Sequence, residues 1–187
     1  MYDMSEIRKG LKIKLDGNPY TIIEFQFVKP GKGQSFTRTR VKNMITGAVI
    51  DRTFKSNERL EPADLETKQM QYLYPEGDAY VFMDTSSYEQ VHLQVDQLGE
   101  NRFYLTDSMM VEVLFYDGRA IGVTPPIFVV LKVTQTEPGF KGDTSSNATK
   151  PATLESGLET NVPLFVNEGE YLKIDTRTGA YVERVKK

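Results

Sequence analysis

An all-β protein of three small barrels is what this sequence predicts, and three observations carry the prediction. Runs rich in β-branched and aromatic residues, cut by Gly, Asn and Asp turns, recur along the chain. No segment keeps a helical period for more than about two turns. Proline-bearing breaks at Leu60-Glu61-Pro62-Ala63-Asp64 and at Thr124-Pro125-Pro126 divide the chain into residues 1–64, 65–126 and 127–187.

In the first stretch, residues 11–15 alternate apolar and basic side chains, and Asp16-Gly17-Asn18 follows as a turn. Residues 20–28 and 35–42 read as two long strands, Asn43-Met44-Ile45-Thr46-Gly47 as a turn, and 48–54 as a fourth strand. So many strands in one short stretch predict a small, strongly bent barrel. The second stretch opens with residues 66–74, turns at Pro75-Glu76-Gly77-Asp78, and has strands at 79–84 and 111–116 with a turn at Asp117-Gly118-Arg119. Residues 93–99 suit a short helix ended by Gly99. The third opens with an apolar strand at 127–134, continues in a Gly/Ser/Thr/Lys/Pro-rich loop over 137–152, and has strands at 162–166, 171–175 and 181–185. The last two stretches have the size and strand density of five-stranded oligonucleotide-binding barrels. At about 60 residues a core alone is marginal, so packing between neighbouring barrels is expected to help.

Composition narrows the function. The 187 residues include no cysteine, no tryptophan and one histidine, His92. Disulfides, thiolate metal sites and multi-histidine metal centres are excluded, and a reducing compartment fits. The first ten residues lack the apolar core of a signal peptide, and no run approaches the ~18 apolar residues of a membrane span. A cytoplasmic protein, monomeric and with no membrane partner, is expected. The net charge of −3 is segregated: residues 1–64 hold 12 Lys/Arg and 8 Asp/Glu, residues 65–127 hold 3 and 10, and residues 128–187 hold 8 and 8. A basic N-terminal third on an acidic chain suggests one end facing a polyanion.

The basic end carries the most distinctive motif. Lys29-Pro30-Gly31-Lys32-Gly33-Gln34 lies between the two long strands, so it forms a hairpin tip with Lys32 at its apex between two glycines. Eight residues at about 3.3 Å each project the tip by roughly 26 Å. Lys29, Arg38, Arg40 and Lys42 flank it, and Arg38 and Arg40, two residues apart, share one face of their strand. They suit tracking of backbone phosphates, or they are solvated edge charges that block strand pairing.

Two other function classes can be weighed. Pro30-Gly31-Lys32-Gly33 superficially resembles a phosphate-binding loop, but that loop ends Gly-Lys-Ser/Thr between a strand and a helix. Here Gly33 follows Lys32 and both neighbours are strands. With one histidine and no carboxylate pair standing out, an enzyme is not expected. A general single-stranded nucleic-acid binder is the alternative. Tyr72, Tyr74, Tyr80, Phe82 and Tyr88 are the aromatics it would use, but they lie in the most acidic stretch, where core or inter-domain packing accounts for them.

Residues 27–34 with Phe36 and Arg38 closely resemble the N-terminal hairpin of bacterial translation elongation factor P. Gly139-Phe140-Lys141-Gly142-Asp143-Thr144, Lys150-Pro151-Ala152-Thr153-Leu154-Glu155-Ser156-Gly157, Val162-Pro163-Leu164-Phe165-Val166, Asn167-Glu168-Gly169-Glu170 and Asp175-Thr176-Arg177-Thr178-Gly179-Ala180-Tyr181 resemble its C-terminal domain. The resemblance spans the chain, in order. One departure is Ser35, where alanine is more usual; being small, it should leave the hairpin undisturbed.

That resemblance implies an SH3-like (KOW-like) N-terminal barrel, two OB-fold barrels, and an L-shaped outline mimicking transfer RNA. It implies a factor that binds the 70S ribosome between the peptidyl and exit tRNA sites and relieves stalling at consecutive prolines. It also implies a partner ligase that modifies Lys32, often with a β-lysyl group, and no separate cofactor; the eukaryotic and archaeal relative bears hypusine at the equivalent tip. The Gly142, Asp143 and Thr144 loop is implied to lie near the small subunit and the messenger RNA in the exit site, and Tyr181 and Arg184 near exit-site tRNA. Read from the residues alone, Asp143 and Thr144 could equally satisfy their own turn, and Tyr181 could pack at a strand end.

Proline lacks an amide hydrogen and has a fixed φ, which makes it a poorly oriented nucleophile. Orientation accounts for several kcal/mol of many barriers. A lysine point charge on a flexible stem can steady phosphate and ribose oxygens without acting as acid, base or nucleophile.

Overall fold

The structure, a computed structural model, describes residues 1–139 and 148–187. The described residues form fifteen strands in three five-stranded antiparallel-rich sheets. By internal contacts the chain divides into two compact units, residues 1–67 with 114–122, and residues 68–113 with 123–187.

The first sheet contains β1 (Lys12–Leu15), β2 (Asn18–Val28), β3 (Phe36–Asn43), β4 (Val49–Lys55) and β5 (Glu61–Pro62), in the order β4-β3-β2-β1-β5. Leu15 pairs with Asn18, leaving Asp16 and Gly17 as a two-residue turn with φ of 51° and 80°. Positive φ at both positions twists with the strands, and Asp-Gly is the dipeptide that tolerates it. Along β3 the burial alternates strictly, with Thr37, Thr39, Val41 and Asn43 inside and Arg38, Arg40 and Lys42 outside. Ile13, Ile22 and Val41 are fully buried with Ile7, Leu11, Tyr20, Phe54 and Leu60 around them. Each such aliphatic side chain contributes about 1.5–3 kcal/mol by leaving water.

The second sheet contains β6 (Leu65–Glu76), β7 (Ala79–Met83), β8 (Gln90–Gln94), β9 (Met110–Tyr116) and β10 (Arg119–Thr124), in the order β10-β9-β6-β7-β8. Asp117 and Gly118 repeat the Asp-Gly turn, with φ of 50° and 76°. The helix expected over 93–99 begins later: Leu93 is a strand residue opposite Tyr80. Only Val95–Leu98 (α1) is α-helical, and Gly99, at φ 55°, ends it before a 3-10 segment at Gly99–Tyr104. Leu93 satisfies either period, and pairing with β7 decides the case.

The third sheet contains β11 (Phe128–Thr136), β12 (Thr149–Leu154), β13 (Glu159–Pro163), β14 (Tyr171–Asp175) and β15 (Ala180–Val185), in the order β13-β12-β11-β14-β15. Two expectations are corrected here. The loop expected over 137–152 already holds most of β12 at its C-terminal end, and the strand expected at 162–166 runs from Glu159 to Pro163. Thr149, Lys150 and Pro151 look like loop residues, yet Lys150, Ala152 and Leu154 point inward as in any half-buried strand. The core is built on Leu131, Leu154, Val162, Val166, Leu172 and Ile174, and it includes Tyr104 from the 3-10 segment, with Phe103 packed against it. The Ser156 hydroxyl donates to the Phe103 carbonyl. The third barrel therefore borrows part of its core from the segment before β9, as expected for barrels this small.

Candidate functional site

Val28 pairs with Phe36, so residues 29–35 form the loop that closes the β2–β3 hairpin. Gly33 sits at φ 101°, a conformation open to glycine at little cost. Lys32 is exposed, and among the described residues its ammonium has no hydrogen-bond or ion-pair partner. The loop's return is anchored to Ser56, the residue just after β4. Ser56 N donates to the Ser35 carbonyl at 3.0 Å, and Gln34 Nε2 donates to Ser56 Oγ at 3.3 Å. Ser35 uses its backbone in that contact, so the departure at this position costs the loop nothing.

The projecting element is more than a hairpin. β4 runs beside β3 from Lys42↔Val49 to Phe36↔Lys55, up to the loop itself. β1, by contrast, pairs with β2 only as far as Thr21. Two-stranded hairpins are marginal in water, whereas a third strand with a buried face gives a rigid arm. A register shift between Ile22 and Glu24 marks a bulge where the arm leaves the barrel.

The flanking cations divide into two groups. Arg40 is committed: it reaches Asp51 on β4 at 3.1 Å and Glu24 on β2 at 3.5 Å. The hydrogen bond to Asp51, then the charges of Asp51 and Glu24, raise the Arg40 pKa above its ordinary value. Arg40 thus clips three strands together beside the bulge. Arg38 lies on the same face two residues nearer the tip, with its guanidinium 5.5 Å from the Phe36 ring centre. Lys29, Arg38 and Lys42 are exposed, and among the described residues none has a carboxylate partner. Sequence reading grouped Arg40 with them; the opposite charges across the strands were visible, but their register was not.

The other expected site residues lie in the third barrel. Gly142, Asp143 and Thr144 fall outside the described residues. Tyr181 is half-buried against the core, and Arg184 is exposed. Both line a surface groove of about 600 Å³ with Phe165, Glu170, Tyr171 and Lys186. Arg184 stacks 4.4 Å from the Phe165 ring centre and meets Glu170 at 3.5 Å. Sequence reading missed Phe165, an exposed aromatic whose ring supports the arginine. Among the described residues no group of three or more His, Asp or Glu side chains could hold a metal ion.

Residues 3–60 match the Elongation factor P (EF-P) KOW-like domain, residues 65–123 the Elongation factor P (EF-P) OB domain, and residues 129–184 Elongation factor P, C-terminal. Elongation factor P of Syntrophus aciditrophicus is 52% identical over 186 residues, covering 100% of both chains. Elongation factor P of Bdellovibrio bacteriovorus is 51% identical over 185 residues, covering 99% of this chain and 98% of its own. Among solved structures, eukaryotic translation initiation factor 5A from Methanococcus jannaschii aligns with a TM-score of 0.57 at 22% identity, over 66% of this chain and 93% of that one, a likeness of fold. With an exposed lysine on a three-stranded arm and family matches over all three sheets, the chain belongs to the elongation factor P family of translation factors.

Proposed function

We propose that this protein binds the ribosome between the peptidyl and exit tRNA sites and steadies the acceptor end of peptidyl tRNA. In doing so it speeds peptide-bond formation at consecutive prolines. One observation carries the reading: Lys32 is an exposed cation without a partner among the described residues, presented at the end of a three-stranded arm. The factor works by orientation and supplies no acid, base or nucleophile, which suits a reaction limited by the geometry of a prolyl amine. Lys29, Arg38 and Lys42 are free to follow RNA phosphates, while Arg40 stiffens the arm. Lys32 carries a covalent extension, a β-lysyl group added by a ligase, that lengthens its reach. Residues 142–144 meet messenger RNA in the exit-site region, and Tyr181 and Arg184 meet exit-site tRNA. The functional division is 1–64, 65–126 and 127–187, and the protein acts in the cytoplasm as a monomer.

The test is Lys32→Ala in a reconstituted translation assay that times synthesis across consecutive prolines. Rescue is expected to vanish with the fold intact by circular dichroism; full rescue by the variant would overturn the reading. Intact-mass measurement of protein from its native host is expected to place an added mass on Lys32.

A further inference from the structure

β15, the last strand of the third sheet, carries one irregularity. Leu172 pairs with Arg184, Lys173 with Glu183 and Ile174 with Tyr181, so Val182 has no opposite residue on β14 and forms a bulge. Directly opposite residues share a face. Leu172 and Ile174 are fully buried, so the bulge turns both Tyr181 and Arg184 toward the inner side of the sheet. In an unbroken strand, residues three apart would point to opposite faces. Tyr181 uses the shared side to pack against the core, and Arg184 joins it in lining the groove.

Two neighbours hold the Arg184 guanidinium. The Phe165 ring centre lies 4.4 Å away, and Arg184 Nη1 donates to Glu170 Oε2 at 3.5 Å. Glu170 is itself fixed, because its carbonyl accepts from Val133 N at 2.8 Å and its Oε1 accepts from Asn167 Nδ2 at 3.4 Å. With this support in place the Arg184 side chain is still 51% exposed, so the guanidinium is covered on one side and open on the other. A planar cation held in this way offers a flat surface for another planar group. Glu170 already draws on one edge of it, and its negative charge disfavours a second carboxylate or a phosphate there. A neutral aromatic ring meets no such penalty, and Lys186, also lining the groove, is a cation for the phosphate beside that ring.

We propose that the groove takes one unpaired RNA base, stacked on the open side of Arg184, and that Phe165 and Glu170 are the positioning residues that hold the guanidinium for it. The inference rests on the exit-site tRNA contact proposed for Tyr181 and Arg184, and it names what that contact recognises. Stacking on a guanidinium plane requires a splayed base, so paired RNA does not occupy the groove.

The test uses the full-length protein with three probes: a short single-stranded RNA, the same RNA with abasic positions, and a polyglutamate peptide. NMR shifts of the Arg184 Nε–H and the Phe165 ring report binding, and the factor concentration giving half-maximal consecutive-proline synthesis is the second readout. The single-stranded RNA is expected to shift both signals, and the abasic RNA and the peptide to bind more weakly by about fivefold or more. Phe165→Ala and Arg184→Lys, which keeps the charge and loses the plane, are each expected to weaken RNA binding by about tenfold. Both should raise the half-maximal concentration while the rate at saturating factor holds, and Phe165→Tyr should restore parent values. Equal binding of the abasic RNA or of the peptide would overturn the base site. A raised half-maximal concentration in Arg184→Ala with parent values in Phe165→Ala and Glu170→Ala would overturn the positioning role and keep the tRNA contact. Weakened RNA binding with unchanged half-maximal concentrations in all the variants would keep the base site and remove the exit-site reading.

Discussion

Two lysines of the same chain sit in opposite circumstances. Lys32 stands in solvent at the end of the β2–β3–β4 arm with no partner among the described residues, while Lys150 lies inside the third barrel with a backbone carbonyl as its partner. Two glycines repeat the contrast. Gly33 is required for its backbone, at φ 101° with open space where a Cβ would go. Gly139 is required for its contact, because a Cβ there would strike the Leu164 carbonyl. The tip leaves its charge exposed, and the barrel end gives its lysine a backbone carbonyl to donate to. The same residue types do both, because the role of a charge or a missing Cβ depends on what surrounds it.

Matched substitutions can break this contrast. The largest difference is expected between Lys150→Ala and Lys32→Ala in chemical denaturation. The first removes a buried side chain together with its hydrogen bond to the Glu137 carbonyl and should cost about 1–3 kcal/mol; the second should change stability by less than about 0.5 kcal/mol. Equal losses would mean that Lys32 has a structural partner or that Lys150 needs none. The glycine pair comes next. Gly139→Ala must move backbone and should cost about 1–3 kcal/mol, while Gly33→Ala should cost about 1–2 kcal/mol of local conformational strain. NMR shift changes should spread into Leu164 and its neighbours for the first and stay within the loop for the second. Arg40→Gln should give the smallest effect, a lower denaturation midpoint at low salt that converges on the parent at high salt. A salt-independent loss would show that Arg40 acts through packing rather than through Glu24 and Asp51.

The sequence was most legible where the chemistry is local. Asp16-Gly17 and Asp117-Gly118 announced their turns because few other dipeptides accept positive φ twice in succession. The β3 alternation put Arg38 and Arg40 on one face, as found. It was least legible around β12, where Thr149, Lys150 and Pro151 resemble a loop until β11 and β13 pair with them.

By itself the sequence determined the all-β class, the tight turns and the hairpin tip that carries Lys32, because each depends on neighbours within a few residues. Only the tertiary structure decided that Arg40 is neutralised, that Lys150 is buried and that Tyr104 belongs to the core of the third barrel. Arg40 meets Asp51 from 11 residues away, Lys150 meets Glu137 from 13, and Tyr104 packs on strands that begin beyond residue 127. A side chain's charge and volume are written in the sequence, but the dielectric, the register and the partner that give them effect exist only once distant strands have met.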